Sequence, residues 1–115
     1  MHETSIINSV FKTLEMEFEQ EKFSKIKEIY LKVGILSNIE PRLLHNAFSA
    51  YCSSYLQYQK IDLHIESTEI KIKCTNCNHI TDVKQYRFLC ENCQKPSKNI
   101  IQGEEMLIHK VAFDD

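Results

Sequence analysis

The sequence predicts an α+β fold: two helices packed on a small three-stranded sheet, with a four-cysteine zinc-ribbon-like module inserted before the last strand. Three observations predict it. Two segments carry apolar residues at helical spacing, and two more alternate at strand spacing with a third, less regular run at the carboxyl end. Four of the five cysteines fall into two Cys-x-x-Cys pairs within one short polar stretch.

The first helix is read over residues 4–20, where Ile7, Val10, Phe11, Leu14 and Phe18 share one face and Lys12, Glu15 and Glu19 the other, with Thr4 or Ser5 as N-cap. Residues 26–36 switch to period two, with Ile29, Leu31, Val33 and Ile35 inward and Glu28, Tyr30 and Lys32 outward. Pro41, after the turn Ser37-Asn38-Ile39-Glu40, is pre-set for the first position of a second helix. Leu44, Ala47, Phe48, Tyr51, Cys52 and Tyr55 form its apolar face, where Cys52 reads as a small hydrophobe. Residues 61–67 alternate again, with Ile61, Leu63 and Ile65 inward. A last strand from Met106 to Ala112 breaks the pattern, because Leu107, Ile108 and Val111 do not alternate cleanly. The expected organisation is a helix–sheet domain of residues 1–69 plus 101–115 and a metal domain of residues 70–100.

The chain has 115 residues, 43% of them hydrophobic and 26% charged, which fits a single small core rather than a disordered chain. A net charge of −2 gives no whole-chain case for binding nucleic acid or an anionic membrane. No apolar run approaches the ~18 residues that span a bilayer, and no signal sequence is visible, so a cytoplasmic protein is expected. Cys74-x2-Cys77-x12-Cys90-x2-Cys93 brings four sulfurs to one ion, and four protein ligands leave no open position, so the site reads as structural zinc. A redox-active thiol pair or a disulfide is the alternative. Residues 71–98 hold six basic residues against two acidic, while the rest of the chain holds eight against fourteen. A zinc-ribbon nucleic-acid-binding or transcription-accessory role rests on that small positive excess alone. Tyr86 and Phe88 read as the module's own small core. No nucleophile–base pair, phosphate loop or open metal site is present, so an enzyme is not expected.

Met1-His2-Glu3, Val33-Gly34-Ile35-Leu36-Ser37, Ile39-Glu40-Pro41, Leu44 with Ala47-Phe48, the four cysteines and Gly103-Glu104-Glu105-Met106 together carry a likeness to a known family. Over essentially its whole length it resembles the HypA/HybF family of hydrogenase-maturation nickel metallochaperones. The resemblance implies nickel bound at the amino terminus and zinc in a separate lobe. It further implies delivery to the large subunit of [NiFe]-hydrogenase, a nickel-handling GTPase (HypB) as partner, and, in some relatives, service to urease and its accessory proteins. Nickel(II) accepts square-planar nitrogen donors, and the Met1 amine, the His2 imidazole and the backbone nitrogens of His2 and Glu3 offer them in fused rings. The Glu3 carboxylate is a further ligand, a partner contact, or a favourable charge at a helix start. His45, His64 and His109 read as surface or core residues. His79, two residues past Cys77, reads as a loop residue with ligand exchange onto zinc as its minority role. The family places Gly after each Cys-x-x-Cys; here Asn78 and Gln94 stand there, which leaves the geometry of the second knuckle open.

Overall fold

The computed structural model describes residues 3–114. Helix α1 (Glu3–Glu17) is followed by a single helical turn, α2 (Gln20–Phe23), and by strand β1 (Ile26–Gly34). A 3-10 turn (Ile35–Ser37) leads into α3 (Pro41–Ser53), a second 3-10 turn (Leu56–Tyr58) and β2 (Asp62–Thr68). Three short strands, β3 (Lys71–Lys73), β4 (Ile80–Asp82) and β5 (Ile100–Gln102), precede β6 (Met106–Phe113). The strands form two sheets in the orders β2-β1-β6 and β4-β3-β5. β1 pairs parallel with β2, the two joined through α3 as a parallel pair requires, and antiparallel with β6.

The core lies between the helices and one face of the larger sheet. Ile7, Val10, Phe11 and Leu14 of α1 meet Leu44, Phe48 and Cys52 of α3 above Ile29, Leu31 and Val33 of β1, all buried. Phe11 is its centre, stacked on Tyr51 at 4.5 Å, Tyr58 at 4.8 Å and Phe48 at 5.8 Å between ring centroids. Burial pushes the Cys52 thiol up to about 11, so it packs as a neutral apolar group, as its position on the helix predicts. On the opposite face Tyr30 stands between His64, stacked at 4.5 Å, and the Lys110 ammonium, 4.5 Å from its ring.

Several boundaries differ from the expected ones. The first helix starts by Glu3 and stops at Glu17, so Thr4 and Ser5 lie inside its first turn and do not cap it. β1 ends at Gly34; Ile35 has left the sheet and is exposed, and Tyr55 likewise lies beyond α3, partly exposed at the edge of the Tyr51 and Tyr58 rings. The uneven alternation at the carboxyl end has a physical cause. Tyr30 faces Lys110 while Leu31 faces Ile108, so His109 is the extra residue of a β-bulge. The smaller sheet was not foreseen, because strands of three residues carry too little periodicity to read.

The two sheets meet where the chain's two glycines meet. The Gly34 N–H donates to the Glu105 carbonyl at 2.7 Å, and the Leu36 N–H donates to the Gly103 carbonyl at 2.7 Å. A Cβ on Gly34 would fall 2.1 Å from the Gly103 oxygen, and Gly103 itself has φ +118°. Glu105 braces the joint, its carboxylate accepting the Thr68 hydroxyl and the Gly103 N–H, each at 2.8 Å. Burial alone would raise this carboxyl, but hydrogen bonds from its own N–H, that of Gly103 and the Thr68 hydroxyl outweigh it and hold the pKa below the usual range. We expect Gly34→Ala to destabilise the protein by about 3 kcal/mol or more, because backbone on both sides must shift. Urea unfolding checks this, and a loss under ~1 kcal/mol would show that the joint yields freely.

Candidate metal centre

Residues 74–77 and 90–93 form two near-identical turns. In the first, the Asn78 N–H donates to the Cys74 carbonyl at 2.9 Å and the Cys74 N–H to the His79 carbonyl at 2.9 Å. In the second, the Gln94 N–H donates to the Cys90 carbonyl at 2.8 Å and the Cys90 N–H to the Lys95 carbonyl at 2.9 Å. Each turn closes through a left-handed residue, Asn78 (φ 63°) and Gln94 (φ 64°). The second knuckle therefore has the geometry of the first despite its glutamine. Asn takes that conformation readily; Gln takes it at a cost of about 1–2 kcal/mol.

The turns bring all four sulfurs within 4.8 Å of one another. Cys74 and Cys93 lie 3.6 Å apart, as do Cys77 and Cys90, each contact crossing between the knuckles. A tetrahedron with metal–sulfur bonds of about 2.3 Å has edges of about 3.8 Å, which these distances approach, whereas a disulfide needs about 2.05 Å. All five cysteines are free thiols. The donor set is soft and complete: four sulfurs suited to a tetrahedral metal, with no position left for a substrate.

Polar groups favour the ionised form of two sulfurs, Cys77 and Cys74, whereas at Cys93 the lowering effect of the Lys95 N–H is outweighed by burial and the neighbouring thiols, which push the thiol up. Cys77 is held down to about 6, first by the Asn92 amide, which donates to its sulfur at 3.5 Å, and then by the His79 N–H. Cys74 is lowered by the backbone N–H groups of Cys77 and Asn76, the latter donating at 3.4 Å. The Asn76 amide reaches Cys93 at 3.9 Å. Each knuckle thus lends the asparagine before its second cysteine to a sulfur of the other. Sequence reasoning missed this pair of contacts, although the repeated Asn in Cys-Thr-Asn-Cys and Cys-Glu-Asn-Cys was there to find them.

His79 does not face the sulfurs. Its Nε2 lies 2.8 Å from the Glu91 carboxylate, which ties it to the opposite knuckle as a surface pair. Tyr86 is no part of a core: it is 66% exposed and left-handed (φ 58°), whereas Phe88 packs on Ile70, Ile72 and Val83 as expected. Of the candidate nickel residues, Met1 and His2 lie outside the described residues. Glu3 is the first residue of α1, half-buried, with its carboxylate in the first turn. His45, His64 and His109 are exposed and lie apart from the sulfur cluster.

Two outcomes follow from the knuckle geometry. Gln94→Gly should stabilise the metal-bound module by about 1 kcal/mol, and Asn78→Gly by only a few tenths, read by chelator competition. In metal-free protein, Asn92→Ala should return the Cys77 thiol from about 6 toward the ordinary thiol value, followed by thiolate ultraviolet absorbance. Because that pKa is depressed, the stability it brings is present above the ordinary thiol range and lost as pH falls through about 6. An unchanged titration in the variant would remove Asn92 from the account.

The whole chain has relatives. A family model described as "Hydrogenase/urease nickel incorporation, metallochaperone, hypA" matches residues 1–113. A hydrogenase maturation factor HypA from Desulfitobacterium hafniense is 31% identical over 115 residues, covering all of both chains. One from Campylobacter jejuni is 32% identical over 113 residues, covering 98% of this chain and 99% of its own. The solution structure of the Ni metallochaperone HypA from Helicobacter pylori shares the fold at a TM-score of 0.69, with 23% identity over 98% of this chain and 97% of its own. A second solution structure, of a HypA protein, gives 0.70 at 26% identity, covering 98% and 96%. With a family match that runs from the first residue to within two of the last, and relatives aligned end to end, the chain belongs to the HypA family.

Proposed function

We propose that this protein is a nickel metallochaperone of [NiFe]-hydrogenase maturation, binding Ni(II) at its amino terminus and carrying a structural zinc ion. The observation that supports it most is the extent of the family match, which includes both Met1-His2-Glu3 and the four cysteines. Nickel is cargo, so it needs ligands that hold it and let it go; zinc is resident, so it needs ligands that do not.

The Met1 amine, the His2 imidazole and the amide nitrogens of His2 and Glu3 meet the first requirement. The Glu3 carboxylate lies beside the site as an additional ligand or partner contact. Cys74, Cys77, Cys90 and Cys93 meet the second requirement. Zinc suits a closed four-thiolate site, and its binding free energy becomes folding free energy for residues 70–100. Residues 1–69 with 101–115 form the nickel-binding part in this reading, and residues 70–100 the zinc-binding part. β5 hydrogen-bonds to β3, so the module's sheet runs on to Gln102.

The expected partners are the GTPase HypB and the hydrogenase large subunit, with urease accessory proteins as further clients. No described helix is long and apolar enough to cross a membrane. A role as a maturation factor fits a cytoplasmic location.

Nickel titration tests the reading. His2→Ala should abolish specific nickel binding while leaving folding and zinc content unchanged, and one added residue before Met1 should do the same by moving the amine. Wild-type affinity in both variants would overturn the amino-terminal site. Capture needs a neutral imidazole and a free amine, with ordinary pKa values of ~6.5 and ~7.8, so acidification should release nickel before zinc. Cys90→Ala should unfold residues 70–100 and spare the helix–sheet body; one melting step for the whole chain would contradict that independence.

A further inference from the structure

The metal module has a surface that metal binding does not require. One face of its sheet is set by Ile72 on β3 with its cross-strand neighbours Thr81 and Ile100, and it is turned inward: Ile72 and Thr81 are buried. The other face carries Lys71 and Lys73 on the central strand, with Ile80 opposite Lys73 on β4. On β5 the register steps from Ile100 to Gln102 across the bulge, which places Ile101 on this same outer face. Ile80 is 49% exposed and Ile101 48%, in a module whose own buried apolar residues outside the cysteines are Ile70, Ile72 and Val83.

Two of the lysines near these isoleucines, Lys73 and Lys98, have no carboxylate partner among the described residues. The Lys73 N–H donates to the Asn99 carbonyl at 2.9 Å, and the Ser97 hydroxyl donates to the Lys73 carbonyl at 3.0 Å. Lys98, between those two residues, therefore runs alongside β3. Lys71 is matched by Asp82 at 3.7 Å, but among the described residues neither Lys73 nor Lys98 lies within ion-pair distance of a carboxylate. Six basic residues against two acidic leave the module positive even after a divalent ion and four thiolates contribute −2.

We propose that this face docks an acidic protein surface with an apolar centre: Ile80 and Ile101 seat in the centre, and Lys73 and Lys98 meet carboxylates at its rim. The charge of the face selects an acidic partner. Its two half-exposed isoleucines select a protein over a nucleic acid, because a phosphate backbone offers them nothing to pack against. This goes beyond nickel binding and does not depend on the amino-terminal site: it assigns the metal lobe a recognition role, with the metal holding the recognition face in shape.

The test uses the full, metal-loaded chain and a synthetic extended peptide alternating glutamate with leucine. A glutamate–serine peptide and a thymidine oligonucleotide of equal charge serve as comparators. Backbone-amide NMR should show the glutamate–leucine peptide perturbing Lys73, Ile80 and Ile101, with affinity at least about tenfold above either comparator. Lys73→Glu with Lys98→Glu should weaken it about tenfold, and Ile80→Thr with Ile101→Thr severalfold. All four residues are exposed, so metal content and spectral dispersion should be unchanged, which separates lost docking from lost folding. Equal binding of the glutamate–serine peptide, tighter binding of the oligonucleotide, self-association through the same residues, or indifference to the substitutions would each overturn the proposal.

Discussion

Where the two sheets join, the Gly34 backbone lies so close to the Gly103 carbonyl that no side chain fits between them, and much of the remaining architecture depends on that contact. The paired hydrogen bonds from Gly34 to Glu105 and from Leu36 to Gly103 fix the point at which the chain returns from the module. That point sets where β6 begins, and β6 supplies the antiparallel neighbour of the central strand. Leu36 also leans from the body onto the module's own small cluster of Ile70, Ile72 and Val83, so one segment serves both cores. The chain spends its only two glycines here.

The two lobes are held together by different physics. The helix–sheet body has a continuous apolar core centred on Phe11, and none of the four clustered cysteines belongs to it. The module buries three aliphatic residues besides its cysteines, too few to order some thirty residues unaided. A tetrathiolate metal supplies what the apolar residues do not, and its loss would cost the module far more than the body. In the chaperone reading this division has a use: cargo can come and go at the amino terminus while a closed, coordinatively complete site keeps the other end in shape. The molecule's extents of 54 × 25 × 19 Å accommodate two such lobes in line.

The elements legible in the sequence were those with a periodic apolar face. Both long helices and the strands beginning at Ile26 and Asp62 follow the residues that alternate or recur there, and Cys52 sits where a small hydrophobe belongs. What escaped had no periodicity to give. β3, β4 and β5 are three residues each, whereas β6 is legible from Met106 to Ala112 although the bulge at His109 breaks its alternation. The four sulfurs were legible from spacing alone, because two residues between paired cysteines already dictate the turn. Their surroundings were not. That Gln94 would take a left-handed conformation, and that Glu91 would hold His79, are tertiary outcomes of two knuckles folding face to face.

In the proposed function, two chemically distinct metal sites divide the work, nitrogen-rich and labile at the amino terminus, sulfur-only and resident in the module. X-ray absorption at the nickel and zinc edges of one sample, loaded with both metals and measured across neutral to mildly acidic pH, addresses it most directly. The account predicts four sulfurs and no nitrogen around zinc at every pH, with His79 remaining on Glu91, and a nitrogen-dominated, sulfur-free shell around nickel that disappears on acidification. Sulfur in the nickel shell, or a nickel-dependent nitrogen in the zinc shell, would contradict it.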